Sequence, residues 1–186
     1  MFDAYTSDTH FGHKMLIERG YRPFKTVEEM DECLIDNYNS WITDDMTVAF
    51  LGDCFLTVMP RCIEIMKRLR GRKFLVWGGH DRSFSAMLRM GFCGVTHTMD
   101  VRIAGKVCTL CHFPFSGTPK HDSKEIDERF PELRPHKKKG QVLIHGHTHL
   151  PTRANGHTIN VCVDAWNFRP AMEYQVRALV EGMGIK

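Results

Sequence analysis

Long apolar runs are missing from these 186 residues. None approaches the roughly 20 residues that a membrane-spanning helix needs. The stretch Met1 to His10 has neither a basic start nor an apolar segment, so it is not expected to be a secretory signal. Charge of one sign is missing as well: 25 Lys and Arg stand against 22 Asp and Glu, a net +3 with histidine neutral. The signs are interspersed, which argues against a disordered polyelectrolyte or a large basic tail. No repeat and no Gly/Ser-rich linker divides the chain, so one domain over 1–186 is expected. A disulfide framework is also lacking. The cysteines, Cys33, Cys54, Cys62, Cys93, Cys108, Cys111 and Cys162, are odd in number and scattered in apolar stretches. That usage reads as small core residues in a reducing, cytoplasmic compartment. Cys108 and Cys111 have redox-like spacing, but they lie in a strand-like run and would pack on alternate faces. What the chain holds in excess is histidine, with 11 residues.

Periodicity places the elements that carry them. Phe2 to Thr6 reads as a first strand. Thr26 followed by Glu29 forms a capping box, and Val27, Met30, Leu34, Tyr38 and Trp41 recur at helical steps behind it. Thr47 to Leu51 and Lys73 to Trp77 are buried strands. Between them a helix opens at Pro60, carries Ile63, Met66 and Leu69, and is expected to stop at Gly71. Ser83 to Met90 is a short helix. Val101 to Ile103 and Lys106 to Cys111 flank the turn residues Ala104-Gly105, a hairpin signal. Ser116 to Gly140 reads as a polar loop with one helical turn. Gln141 to Ile144 and Thr158 to Val163 are strands, and Met172 to Met183 is a closing helix. Helices alternate with strands first and strands dominate later, an α/β layered arrangement.

The polar clusters share one placement. Asp8 and His10, Asp53, His80 and Asp81, His112, and His147 with His149 each follow a strand directly. Ligands in α/β sheets bind at the carboxyl ends of strands, so these clusters would meet in one crevice. Asp and His together make sites suited to zinc, manganese, iron or nickel. Asp-x-His and His-x-His put both donors of a pair on one side of an extended segment.

The ordered set Asp8-Thr9-His10, Gly52-Asp53, Gly78-Gly79-His80-Asp81, His112 and Gly146-His147-Thr148-His149 resembles the motifs of calcineurin-like metallophosphoesterases. Those motifs read D-x-H, G-D, G-N-H-[D/E], H and G-H-x-H. Asn160 to Pro170 (NVCVDAWNFRP) resembles the small bacterial and phage-type members. The resemblance implies an α/β fold built as a β-sandwich of two mixed sheets flanked by helices. It implies two metals, manganese favoured over iron, zinc and nickel. Asp8, His10, Asp53 and His149 would hold the first; Asp53 would bridge to a second held by His112 and His147. Gly79 stands where the family has a ligating asparagine, so a weaker second site is expected. Glycine would keep a left-handed loop shape there while deleting the donor.

The implied reaction is phosphoester hydrolysis by a metal-bridging hydroxide. Phosphodiesters such as cyclic nucleotides are favoured over monoesters, with His80 assisting the leaving group and Asp81 orienting or charge-balancing its imidazole. His13 and Arg82 are candidates for substrate binding, Arg169 less so, and Trp77, Phe113, Phe115 and Trp166 could stack on an aryl group or base. Two other readings stand beside this one: a metal-binding or scaffold protein weakened by Gly79, and a nuclease of the same fold. Lys137–Lys139 is the one basic run that could touch nucleic acid, and it reads as a solvated loop. No membrane partner is expected, and a homodimer is allowed though no patch argues for it. His145 is expected in the core or behind the site, and His97, His121, His136 and His157 at the surface.

Overall fold

The computed structural model describes residues 1–118 and 129–184. Two mixed five-stranded sheets are flanked by helices. In the first sheet, β1 (Ala4–Thr6), β2 (Thr47–Phe50), β3 (Arg72–Val76) and β4 (Gly94–Thr96) run parallel in that order. In the second, β5 (Thr98–Ile103) pairs antiparallel with β6 (Lys106–Cys111), and β6 runs parallel to β7 (Val142–His145). β8 (Ala154–Asn155) forms the far edge, antiparallel to β9 (Thr158–Asn160), which lies parallel to β7. β10 (Ala171–Met172) closes the first sheet antiparallel to β1.

Strand alternation builds two cores. On β2, Val48 and Phe50 face the helices, while Ala49, and Leu51 just past the strand, face the second sheet. They meet Cys108, Leu110, Val142 and Ile144 there, all fully buried. This is the period-two pattern of strands covered on both faces. Cys111 and Leu143 point to the outer face instead, where Phe113 and Phe115 cover them. Cys108 and Cys111 therefore sit on opposite faces, as the spacing suggested.

The helices follow their caps with small departures. α1 (Lys14–Glu18) is short and precedes α2 (Val27–Asn39). Thr26 Oγ1 accepts from Glu29 N at 3.1 Å, but the Glu29 carboxylate takes the amide of Lys25 and not that of Thr26. Trp41 lies past the end of α2, partly exposed, with the Arg169 guanidinium 4.3 Å above its ring. α3 (Met59–Arg68) ends at Leu69 in extended backbone, and Gly71, at φ +73°, turns the chain into β3. α4 (Phe84–Met90) is capped by Ser83, and α5 (Glu173–Gly182) is the last described element. The hairpin turn has positive φ at both Ala104 (51°) and Gly105 (76°), the geometry that matches strand twist in two-residue loops.

β4, β8, β10 and α1 were not expected, because two to five residues carry too little periodicity to read. Among the described residues of the polar loop, Pro131–Leu133 forms a 3-10 turn. His121 falls outside the described residues. Among the described residues, no helix is long and apolar enough to cross a membrane.

Candidate metal centre

The segments that leave β1, β2, β3, β6 and β7 at their carboxyl ends converge where the two sheets meet. Backbone bonds lock them together: Asp8 N donates to Gly52 O (3.0 Å), His10 N to Asp53 O (3.0 Å) and Gly146 N to His112 O (3.0 Å). Space is tight there. A Cβ on Gly146 would lie 2.6 Å from Ser7 Cβ and closer still to Ser7 Oγ and Asp8 Oδ2. The glycine of Gly-His-x-His is thus required by the close approach of two loops.

Three groups of donors among the described residues could hold a metal ion: Asp8 with His10 and His149, Asp53 with His112 and His147, and a third that joins Cys162 and Asp164 to His149; the first two use the residues of the sequence motifs. In the first, Asp8 Oδ1 lies 3.9 Å from His10 Nε2 and 3.6 Å from His149 Nε2. That oxygen is buried and has no hydrogen-bond partner among the described residues. A buried, unsatisfied carboxylate oxygen is costly without a partner, so the donor set fits a cation. In the second group, His112 Nε2 lies 3.4 Å from Asp53 Oδ2 and 3.2 Å from His147 Nδ1. Asp53 Oδ2 stands between the groups, 3.8 Å from His10 Nε2 as well.

The donor nitrogens are selected by what the opposite ring atoms meet. His112 Nδ1 is 2.7 Å from Leu51 O, so its Nδ1–H is donated to the main chain and Nε2 faces the centre. His149 Nδ1 lies 2.9 Å from Asp164 Oδ2, which likewise leaves Nε2 for the centre. Charge reinforces these contacts. Burial opposes ionisation of Asp53, yet the neighbouring His112 and His10 hold its carboxyl well below the usual range. Burial also opposes charge on His112, and Asp53 more than offsets it, raising the imidazole to about 9. A proton on His112 Nε2 and a cation at this group are therefore alternatives.

Five of the six residues have left-handed backbone: Asp8 (φ 56°), His10 (48°), Asp53 (54°), His147 (70°) and His149 (52°). Asp and His tolerate that region better than most side chains.

The remaining sequence candidates divide. His80 lies on the wall of a cavity of about 600 Å³ that His10, His13, Asp53, His147 and His149 also line. Its side chain is 48% exposed, with Nε2 4.0 Å from Asp53 Oδ2. His13 lies near it, its ring tilted 48° to both neighbours, with centroids 5.0 Å from His10 and 6.3 Å from His80. Asp81 departs from expectation. Its carboxylate accepts from the amides of Asp53 (3.0 Å), Cys54 (2.9 Å) and Gly78 (2.9 Å), so it holds the loops and not the His80 imidazole. Burial and the charge of Asp53 raise the Asp81 carboxyl to about 7.

Arg82 departs too: its guanidinium donates to Thr57 O (2.9 Å), away from the cavity. Phe113, Phe115 and Trp166 are buried in the cores and Trp77 is half-buried with its Nε1–H on Arg82 O, so the first three present no face to a ligand. His145 is buried, which lowers its imidazole to about 4, with Nδ1 2.8 Å from Gly146 O. His97 and His136 are exposed and His157 is half-buried.

Gly79 requires its own correction. Its φ is not in the left-handed region, so backbone handedness does not explain glycine there. Space does: an added Cβ would lie 2.6 Å from Phe130 Cε2 and 3.0 Å from Cζ. Phe130 is itself wedged between Phe113 and Trp77, with centroids 5.1 and 6.3 Å away. Gly79→Asn alone is therefore expected to lose about 1–3 kcal/mol by overpacking without tightening metal binding. Gly79→Asn with Phe130→Ala is expected to bind a second equivalent more tightly than Phe130→Ala alone. Manganese titration with thermal unfolding checks both statements.

Sequence reasoning missed four residues. Arg129 and Arg134 bring Nη2 atoms 3.3 and 3.4 Å from His147 Nε2. Arg22, from the turn after α1, is buried and donates to Asp8 O (2.6 Å) and Thr9 O (2.9 Å). Asp164 meets both Arg22 and His149. A signal for Asp164 existed: a lone carboxylate inside the apolar stretch Val161 to Trp166.

No family model matches the chain. An uncharacterized protein of Methanocaldococcus jannaschii, MJ1445, is 28% identical over 187 residues, covering 94% of this chain and 89% of that protein. The solved structure of AQ665, a protein of unknown function from Aquifex aeolicus, is similar with a TM-score of 0.72 at 25% identity. The match covers 95% of this chain and 97% of AQ665, so the overall fold is shared along nearly the whole length. The gene 66 protein of Mycobacterium phage L5 is 31% identical over 186 residues, covering 87% of this chain and 86% of that protein. With that identity sustained over most of both sequences, the chain belongs to the family of the phage L5 gene 66 protein.

Proposed function

We propose that the chain hydrolyses phosphoester bonds with the help of metal ions, phosphodiesters ahead of monoesters, as its likeness to calcineurin-like metallophosphoesterases implies. The observation that carries this reading is the position of Asp53 Oδ2, 3.8 Å from His10 Nε2 in one donor group and 3.4 Å from His112 Nε2 in the other. A carboxylate so placed suits two adjacent cations, manganese being favoured. The chemistry supplied by bound cations would be acidification of a water and neutralisation of charge on phosphoryl oxygens.

The chain's own residues supply the rest. His80 stands on the cavity wall with a half-exposed ring, where it gives a proton to the leaving oxygen. Its main-chain amide donates to Asp53 Oδ1 (2.8 Å), which ties the proton donor to the carboxylate between the groups. Leu16, Tyr21, Leu150 and Pro151 line the cavity farther out and provide an apolar side for the ester group. The volume of about 600 Å³ lies in the range of small-molecule sites.

The test is hydrolysis of a chromogenic aryl phosphodiester and the matching monoester with manganese added. Turnover of both is expected, faster for the diester, and lost on chelation. Protein verified to carry manganese yet inert toward both substrates would overturn the reading in favour of a metal-binding protein without turnover. Phe130 packed over Gly79 is the observation on that side.

A further inference from the structure

We infer that β5 is a docking edge for a second copy of this chain. The two β5 strands would pair antiparallel about a two-fold axis at Val101, joining the five-stranded second sheets of two molecules. The inference does not rest on the metal reading above.

A sheet edge exposes unpaired main-chain groups, and folded proteins keep such edges short, bulged or broken by proline. Three of the four edges follow that rule: β4 has three residues, and β8 and β10 have two each. β5 does not. It has six residues without proline, all paired with β6 in one unbroken register. Ile103 and Lys106 close the two-residue loop as a hydrogen-bonded pair, so Met99, Val101 and Ile103 turn their amides and carbonyls toward β6. Thr98, Asp100 and Arg102 turn theirs to the open side. Thr98 O accepts from Thr96 Oγ1 at 2.9 Å. Among the described residues, no main-chain group bonds Asp100 or Arg102 from that side, and both residues are exposed.

The charges of those two residues select the register and the partner. A self-pair centred on Asp100 opposes that carboxylate to its own copy, and one centred on Arg102 opposes two guanidinium groups. Both place like charges directly across from each other, which destabilises a strand pair. Centred on Val101, the pairing sets Asp100 opposite Arg102 on both sides of the axis, and each pair exchanges both of its main-chain hydrogen bonds. Asp100 is held ready for this. Gln141 Nε2 donates to Thr109 Oγ1 (2.9 Å), which donates to Asp100 Oδ1 (2.7 Å). A two-fold contact of this kind closes at two copies. One strand pair is a small contact, so the dimer belongs to the transient class and separates on dilution. β6 of one molecule then runs opposite to β6 of the other, and the two candidate metal centres lie at opposite ends of the shared sheet.

Sedimentation velocity of the full chain over rising concentration is expected to show monomer passing to dimer. Asp100→Arg and Arg102→Asp each turn the opposed pairs into like charges and should weaken self-association about tenfold or more. Combining both substitutions in one chain restores opposite charges and is expected to restore the association. An equimolar mixture of the two single variants should pair more tightly than either alone. General damage from the substitutions would accumulate in the double variant and not cancel. Amide exchange needs no variant: the N–H groups of Asp100 and Arg102 should slow as wild-type concentration rises, while those of Val101 and Ile103 stay protected throughout. A chain that remains monomeric up to its solubility limit overturns the inference. A dimer that leaves the Asp100 and Arg102 amides as fast as in dilute protein does so too, because its contact lies elsewhere. A double variant that associates no better than the single ones removes the register.

Discussion

Gly146→Ala is expected to abolish metal binding at the Asp8 group, and turnover with it. The φ of Gly146 lies outside the left-handed region, so alanine is not excluded by backbone conformation. Space excludes it. The new methyl would sit 2.6 Å from Ser7 Cβ and nearer to Ser7 Oγ and Asp8 Oδ2. Neither neighbour is free to yield. Ser7 and Asp8 are fully buried; Ser7 Oγ donates to Leu51 O at 2.6 Å, and Asp8 Oδ2 accepts from His147 N at 2.9 Å. The chain also pairs Ser7 with Cys162 at this point, joining the two sheets. Relief must come from the loops moving apart, which costs about 1–3 kcal/mol and carries Asp8 Oδ1 away from the two imidazoles. A lowered melting temperature together with loss of manganese binding at the Asp8 group is the expected pair of results. A variant that binds manganese as the wild type does would show that the loops can absorb a methyl group.

His80→Ala should leave metal content intact and lower kcat on the aryl diester by about 10²- to 10⁴-fold, the usual contribution of a positioned proton donor. The side chain belongs to none of the donor groups, and its ring is half in solvent, so removal disturbs little packing. The contact that shapes the loop is made by the main-chain amide of His80 to Asp53 Oδ1, and alanine retains it. A substrate with a better leaving group needs less proton donation. The deficit should therefore shrink on a dinitrophenyl ester relative to a nitrophenyl ester. Loss of bound metal in the variant would contradict the assignment, because it would place His80 among the ligands.

The parts of the site that were legible in the sequence are those whose donors follow strands closely. Asp8, Asp53, His112 and His147 lie within three residues of a strand end, and an apolar run stopping at a polar motif marks such a place. Buried strands and capped helices were legible for related reasons: Thr47 to Leu51 is an apolar run that stops at Gly52-Asp53, and Met30 to Tyr38 carries enough repeats to show a helical period. What escaped depends on contacts distant in sequence. Arg22 and Asp164 are 142 positions apart, and no local pattern links them. Asp81 illustrates the converse case. It stands beside His80 in the sequence, but its carboxylate is committed to amides of a loop 27 and 28 residues earlier. Gly79 was legible as a missing donor, while its cause was not, since Phe130 reaches it from a polar loop 51 positions on.

The left-handed backbone at Asp8, His10, Asp53, His147 and His149 bears on how the centre tolerates change. Each such residue costs of order 1–3 kcal/mol in local conformation, and the sum is comparable with the whole stability of a typical domain. The constraint on these positions is therefore double: the residue must offer a donor atom and must also accept that handedness. Asparagine satisfies the second demand without the charge, whereas a β-branched residue satisfies neither. Substitution tolerance at this end of the sheets thus follows the rules of turns as much as those of coordination chemistry. Cation binding, by favouring only the folded arrangement, offsets the local cost as metal concentration rises.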